Sequence, residues 1–215
     1  GISGGIDSSV SSTLSAMTGL KTIVLTMPIK QKKNQHDLSL KHQDWLLKKF
    51  KNVEAHTVNL DKLFESFSNT LNKFDNEHGL ANSRARLRMT TLYQVASANK
   101  GIVVGTGNKV EDFGVGFYTK YGDGGVDISP IADCNKTQVW ELGKELGILK
   151  EIIDAPPTDG LWDDGRTDEG QLGFKYQELE DAMENSNSPH REEYEKIRKQ
   201  NLHKMEPIPV CKIPS

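Results

Sequence analysis

The stretch Gly1-Ile2-Ser3-Gly4-Gly5-Ile6-Asp7-Ser8 constrains this chain more than any other. Adjacent glycines permit positive φ and let the backbone come close to a ligand. Apolar side chains follow at Val10, Leu14 and Met17, a helical spacing, so the glycine loop opens a helix. The first N–H groups of a helix lack partners and sit at the positive end of its dipole, a combination that attracts phosphate. No Gly-Lys-Ser/Thr closes the loop, which excludes a Walker A motif. Asp7 stands where a lysine would serve there, and an acid in a phosphate loop makes sense when it holds a divalent cation that bridges phosphates. The plain alternative for a bare Gly-Gly pair is an ordinary turn before a helix.

The rest of the chain keeps an alternating rhythm. Thr22 to Met27 reads as a β-branched strand stopped by Pro28, buried on both faces as in a parallel sheet. A basic loop from Lys30 to His36 precedes a helix from Asp37 to Phe50. Ala55 to Leu60 is a strand, Lys62 to Phe74 a helix, Ser83 to Asn99 a helix, and Gly101 to Thr106 a strand. The pattern predicts an α/β fold with right-handed crossovers. Gly107 to Asp127 reads as a long loop, of a length that is usually functional or disordered. Asn135 and Gln138 suit a capping box for the next helix. Pro156 to Gly170 reads as a mobile loop, Glu178 to Glu184 as a short helix, and Ser188-Pro189 starts a last helix to about Asn201.

The bulk numbers bound the function. A chain of 215 residues with 35% hydrophobic content fits one domain, residues 1–215. A net charge of −3 leaves no electrostatic footprint for nucleic acid, and no apolar run is long enough for a membrane span. Cys134 and Cys211 show neither metal spacing nor a disulfide framework, which points to a reducing cytoplasm. A phosphate loop of this kind follows a strand, so a strand and helix are expected ahead of Gly1.

Several polar segments occur in a telling order. They are Ser3 to Ser8, Asn82 to Met89, Gly105 to Glu111, Thr119 to Asp127, Lys136 to Val139, Pro157-Thr158, Thr167 to Glu169 and His203-Lys204-Met205. The first resembles the pyrophosphate loop of the ATP-pyrophosphatase superfamily, and the ordered set resembles ammonia-dependent NAD synthetase across almost the whole chain. That resemblance implies an adenine nucleotide α-hydrolase-like fold, with a parallel sheet flanked by helices. It implies amidation of deamido-NAD by ammonia, with ATP adenylating the nicotinate carboxylate and releasing pyrophosphate and then AMP. It assigns Gly1, Ile2, Ser3, Gly4, Gly5, Ile6, Asp7, Ser8, Thr106, Lys136 and Thr158 to ATP, and Asp7 and Glu111 to magnesium. Arg86, Lys120, Asp127, His203 and Lys204 match deamido-NAD contacts, and Asp123 the carboxylate that receives ammonium and helps deprotonate it. Asp123 and Lys136 are then the catalytic pair. A homodimer with shared substrate sites is implied as well.

Each assignment has a plainer rival. Arg84 and Arg88 lie four apart on a helix and read as a solvated face; Asp163, Asp164, Asp168 and Glu169 read as a solvated loop face or a lid. Asp123 suits a Gly-Asp-Gly-Gly turn by its backbone tolerance alone. Other ATP pyrophosphatases remain alternatives, GMP synthetase-like or tRNA-modifying, as does a non-catalytic ATP-binding module. ATP turnover to AMP separates the enzymes from the module.

Overall fold

A computed structural model describes residues 1–31, 33–158, 161 and 167–213. Helix α1 (Ile6–Met17) opens the chain, followed by β1 (Thr22–Thr26), α2 (Lys33–Lys49), β2 (Val53–Thr57) and α3 (Asp61–Thr70). Then come the long α4 (Glu77–Ala98) and a π-helical turn at Lys109–Val115. The C-terminal part carries α5 (Lys136–Glu145), α6 (Lys150–Ile153), α7 (Asp168–Leu172), α8 (Tyr176–Glu184) and α9 (Arg191–Met205).

Strands β1 and β2 pair in parallel, from Thr22 opposite Val53 to Thr26 opposite Thr57. The α/β architecture with a parallel sheet flanked by helices is therefore as expected. Pairing continues past the strand ends, since Val58 and Leu60 donate to the carbonyls of Thr26 and Pro28. Expected boundaries shift where polar residues carry no periodic signal. Strand β2 starts two residues earlier than Ala55, and α2 starts at Lys33, inside the expected loop; Lys32 lies outside the described residues. Helix α4 begins at Glu77 rather than Ser83, because the Asn76 side chain accepts from Gly79 N–H at 2.7 Å and caps it there.

The expected strand from Gly101 to Thr106 is reduced to one parallel bridge, Val104 to Ile128. The Asp127 carboxylate takes Val103 N–H at 2.7 Å, so a side chain supplies the partner that a ladder would have offered. The long loop after it is also partly ordered, by the π-helical turn.

Helix α1 is buried on nearly every side, through Ile6, Val10 and Ala16 but also Ser9, Ser11, Ser12 and Thr13. Small side chains let it pack centrally, and hydroxyls of Ser9 and Thr13 bond carbonyls four residues back, Gly5 and Ser9, at 2.9 and 2.7 Å. One apolar cluster joins α1 to α5 and α6 through Ile6, Val10, Val139, Ile148 and Ile152. A second joins the π-helical turn to α8 and α9 through Val110, Val115, Tyr176, Leu179, Ala182 and Tyr194. A third packs β1 against α3 and α4. The first two clusters meet at Trp140, which packs against both.

Helix α9 grips the end of the π-helical turn and the segment that follows it. Arg198 donates to the carbonyls of Phe113 and Gly114, Asn201 to Val115 at 3.0 Å, and Lys204 to Gly116 and Tyr118 at 2.7 and 2.8 Å. These three residues recur every three positions, so they share one helix face. No helix among the described residues is long and apolar enough to cross a membrane.

Candidate functional site

The N-terminal loop is shaped by its own hydroxyls. Ser8 Oγ accepts from Ser3 N–H at 3.2 Å, donates to the Gly5 carbonyl at 3.1 Å and lies 3.0 Å from Ser3 Oγ. Gly4 has φ of +91°, a region that disfavours any side chain, so the turn requires glycine there. The loop ends at Gly5, the residue before α1, and aims the helix N-terminus into a cavity of about 250 Å³.

A buried lysine and two half-buried carboxylates meet beside that loop. Lys136 starts α5 and is 1% exposed; its Nζ lies 2.5 Å from Asp7 Oδ2 and 2.8 Å from Glu111 Oε1. Asn108 ties the same parts together. It donates to Asp7 Oδ1 at 3.1 Å, and its own carbonyl oxygen accepts from Val110 and Glu111 N–H, both at 3.0 Å, capping the π-helical turn. Tyr176 completes the surround by donating to Glu111 Oε1 at 2.5 Å.

The charges follow from this packing. Burial works to lower Lys136, but the Asp7 and Glu111 charges and hydrogen bonds outweigh it and hold the ammonium protonated far above its usual range. Burial works to raise Glu111, yet Lys136 and the hydrogen bonds to Lys136, Tyr176 and Asn108 keep it below the ordinary carboxylate value. Asp7 is raised, chiefly by burial and then by Glu111, against the pull of Lys136. Two carboxylates thus share one ammonium, and one of them is under-compensated. That imbalance suits a further cation, and the hard oxygen donors suit magnesium. Among the described residues no group of three or more His, Cys, Asp or Glu side chains could cage a metal. The protein would supply two carboxylates and leave the remaining positions to phosphate and water, which is how magnesium commonly binds.

Residues with a place in the cavity wall include Asp7, Ser8, Thr106, Glu111, Asp123, Lys136 and Thr158. The phosphate-loop residues other than Gly4 line it too. Asp123 Oδ1 accepts from Thr119 N–H at 2.9 Å, so it shapes its turn and faces the cavity at once. Its neighbour Asp112 also lines the cavity; burial above all, then Asp123, Glu111 and Asp7, push that carboxyl well above the usual range. A Cβ on Gly107 would lie 1.9 Å from Asp112 Oδ2, so the close approach of this carboxylate to the backbone requires glycine.

The expected deamido-NAD contacts gather elsewhere. Arg86 donates to the Lys120 carbonyl at 3.3 Å, and Lys120 Nζ to the His203 carbonyl. Lys204 holds two carbonyls of the 116–118 segment, and Asp127 accepts from Val103 N–H and from Tyr93 hydroxyl at 3.0 Å. None of these five lines the cavity.

Three expectations need correction. Arg84 is buried, with its guanidinium 4.9 Å from the Phe64 ring centroid, and it donates to the Leu161 carbonyl. Arg88 lines the cavity and donates to the Met27 carbonyl at 3.0 Å and to Gln31 at 2.9 Å. These arginines are thus no solvated face: α4 lies over the C-terminal end of β1, where carbonyls need donors. Asp168 is buried at the start of α7 rather than in a solvated loop, with its N–H on the Pro157 carbonyl at 3.1 Å. Residues 159–160 and 162–166, with Asp163 and Asp164, lie outside the described residues.

A sequence profile described as NAD synthase matches residues 1–213. The chain belongs to the NAD synthase family. It is 38% identical over 207 residues to an NH3-dependent NAD(+) synthetase of Finegoldia magna, covering 95% of this chain and 83% of that protein. A second NH3-dependent NAD(+) synthetase, of Saccharolobus solfataricus, is 40% identical over 185 residues, covering 85% of this chain and 64% of the relative. Among solved structures, NMN synthetase from Francisella tularensis superposes with a TM-score of 0.90 at 33% identity, covering 99% of this chain and 87% of that one. The NH3-dependent NAD synthetase of Campylobacter jejuni shares the fold, with a TM-score of 0.77 at 22% identity over 98% of this chain and 87% of that one.

Proposed function

We propose that this NAD synthase family member is a ligase that joins ammonia to deamido-NAD, using ATP. The observation that carries the reading is the meeting of Asp7, Glu111, Lys136, Thr106, Thr158 and Asp123 on one cavity at the mouth of the glycine loop. Loop and helix N–H groups cradle ATP phosphates. Lys136 supplies a buried positive charge beside them, and Asp7 and Glu111 would hold magnesium, which neutralises the pyrophosphate leaving group. A nicotinate carboxylate oxygen attacks the α-phosphorus, and the bond to the bridging oxygen of the β-phosphate breaks. Ammonia then adds to the activated carbonyl carbon and AMP departs. Asp123 accepts a proton from ammonium, which predominates over free ammonia near neutral pH. Most of the rate comes from positioning and fixed charge rather than covalent help from the protein.

Arg86, Lys120, Asp127, His203 and Lys204 would contact the deamido-NAD outside the cavity. Their place outside its wall fits a substrate site that draws on two subunits of a homodimer. Support also comes from exposed apolar side chains, Leu63 on α3 and Leu71 and Phe74 between α3 and α4. Light scattering of the purified chain tests the dimer.

A second reading, amidation of the nicotinate mononucleotide, is favoured by the higher similarity to the Francisella NMN synthetase. The chemistry at the carboxylate is the same. One experiment covers both: ammonium, magnesium and ATP with either deamido-NAD or nicotinate mononucleotide. Equal yields of amide, AMP and pyrophosphate support the ligase, and the preferred substrate decides between readings. ADP accumulating in step with the amide would sink the mechanism.

A further inference from the structure

Tyr176 is the first residue of α8 and is fully buried. Its hydroxyl donates to Glu111 Oε1 at 2.5 Å and lies 3.3 Å from Asp168 Oδ2. One phenol proton serves one acceptor well, and the shorter distance selects Glu111. Its ring lies edge-on to Trp140, with centroids 5.7 Å apart, and Lys136 Nζ lies 4.9 Å from the ring centroid. A single side chain therefore touches both Glu111 and Lys136. The ring is locked in the cluster of Val110, Leu179 and Ala182, so its hydroxyl is a fixed point, whereas a glutamate has rotatable bonds of its own.

Lys136 bonds the same Glu111 oxygen. When its ammonium turns toward a phosphate, the carboxylate loses one of its holders and leans more on the others. We propose that Tyr176 is a positioning residue of the phosphate site, whose hydroxyl keeps the Glu111 carboxylate oriented for magnesium while Lys136 serves the nucleotide. This rests on the reading of the cavity as an ATP site. Groups that orient metal-binding carboxylates commonly matter by tenfold or more in metal affinity.

The test is calorimetric titration of the full chain with α,β-methylene ATP, which cannot be cleaved at that bond, over a series of magnesium concentrations. Tyr176→Phe keeps the ring and its packing. It is expected to raise the magnesium concentration for half-maximal analogue binding about tenfold. The KM for the nicotinate substrate should stay the same. Tyr194→Phe removes a hydroxyl from the same cluster, one that donates to Gly114 instead, and should leave the magnesium dependence unchanged. In a Glu111→Gln background, Tyr176→Phe should add less than about twofold, because it acts through Glu111. An unshifted Tyr176→Phe, an equal shift in Tyr194→Phe, or an undiminished shift in the Glu111→Gln background would each overturn the proposal alone. A wild type that binds no analogue with magnesium overturns the ATP-site reading and the proposal together.

Discussion

Asn108 donates to Asp7 Oδ1 at 3.1 Å across 101 positions of sequence, and its other side-chain atom caps the turn that carries Glu111. One fully buried amide therefore sets the spacing between the two carboxylates. Asn108→Ala removes a cap and a bond to a charged group at once. It is expected to lose about 2–3 kcal/mol in urea unfolding and to lower kcat/KM for ATP about tenfold. A full retention of both would show that the turn holds itself.

Lys136 answers two carboxylates, so its removal leaves buried charge unpaired. Lys136→Met is expected to cost about 3 kcal/mol near neutral pH. In that variant Asp7 and Glu111 lose their ammonium while burial still raises them. Acids with raised folded values stabilise the fold where they bind extra protons, so the deficit relative to wild type should shrink as pH falls toward about 5. Magnesium should shrink it as well. Thermal melts at two pH values, with and without magnesium, check both; a deficit indifferent to pH and metal would contradict the charge argument.

If Asp7 and Glu111 serve one cation, their losses cannot multiply. Asp7→Asn and Glu111→Gln should each raise the magnesium requirement and slow adenylation more than they weaken binding of the nicotinate substrate. The double variant should lose much less than the product of the single losses. Pyrophosphate release over a magnesium series measures this, and multiplicative losses at unchanged magnesium dependence would separate the two carboxylates.

His42 is fully buried, 3.0 Å from Ser12 Oγ and stacked on Trp45 at 5.5 Å. Burial, only partly opposed by a backbone bond to Ser9, lowers its pKa from 6.5 to about 4. Below about pH 6.5 the unfolded chain takes a proton that the folded one refuses, so stability falls with pH until about 4. Between about pH 7.5 and 5 this one side chain should account for about 2 kcal/mol. His42→Gln should flatten that part of the urea-unfolding profile; an identical slope in wild type and variant would place the acid sensitivity elsewhere.

The glycine loop, α1, β1 and the start of α5 were legible because each has a local signature: a turn, a period or a cap. Half of the expected capping box is present, Asn135 N–H donating to Gln138 at 2.8 Å. Asp7, Glu111 and Lys136 stood out by order and type, and they do meet. Asn108, Tyr176 and Asp112 were missed. Their work consists of contacts far along the chain, and nothing in their neighbours foretells it, except that Asn108 is a good N-cap type immediately before a turn that carries a glutamate. Arg84 and Arg88 were misread because charge at helical spacing looks the same whether a sheet edge or water lies opposite.

The grip of α9 on residues 113–118 is addressed almost entirely to main-chain oxygens. The exposed Phe113 side chain can therefore change without loosening that hold, whereas Val115 is fixed by core packing, Gly114 and Gly116 by close contacts that leave no room for a side chain, and the helix residues by the bonds they donate. Sequence drift should accumulate on the solvent-facing side chain of Phe113, and be filtered out at Arg198 and Asn201. The shape of one stretch of polypeptide is thus encoded in another more than eighty positions downstream, and a library designed to diversify this rim should randomise position 113 and leave Arg198 and Asn201 untouched.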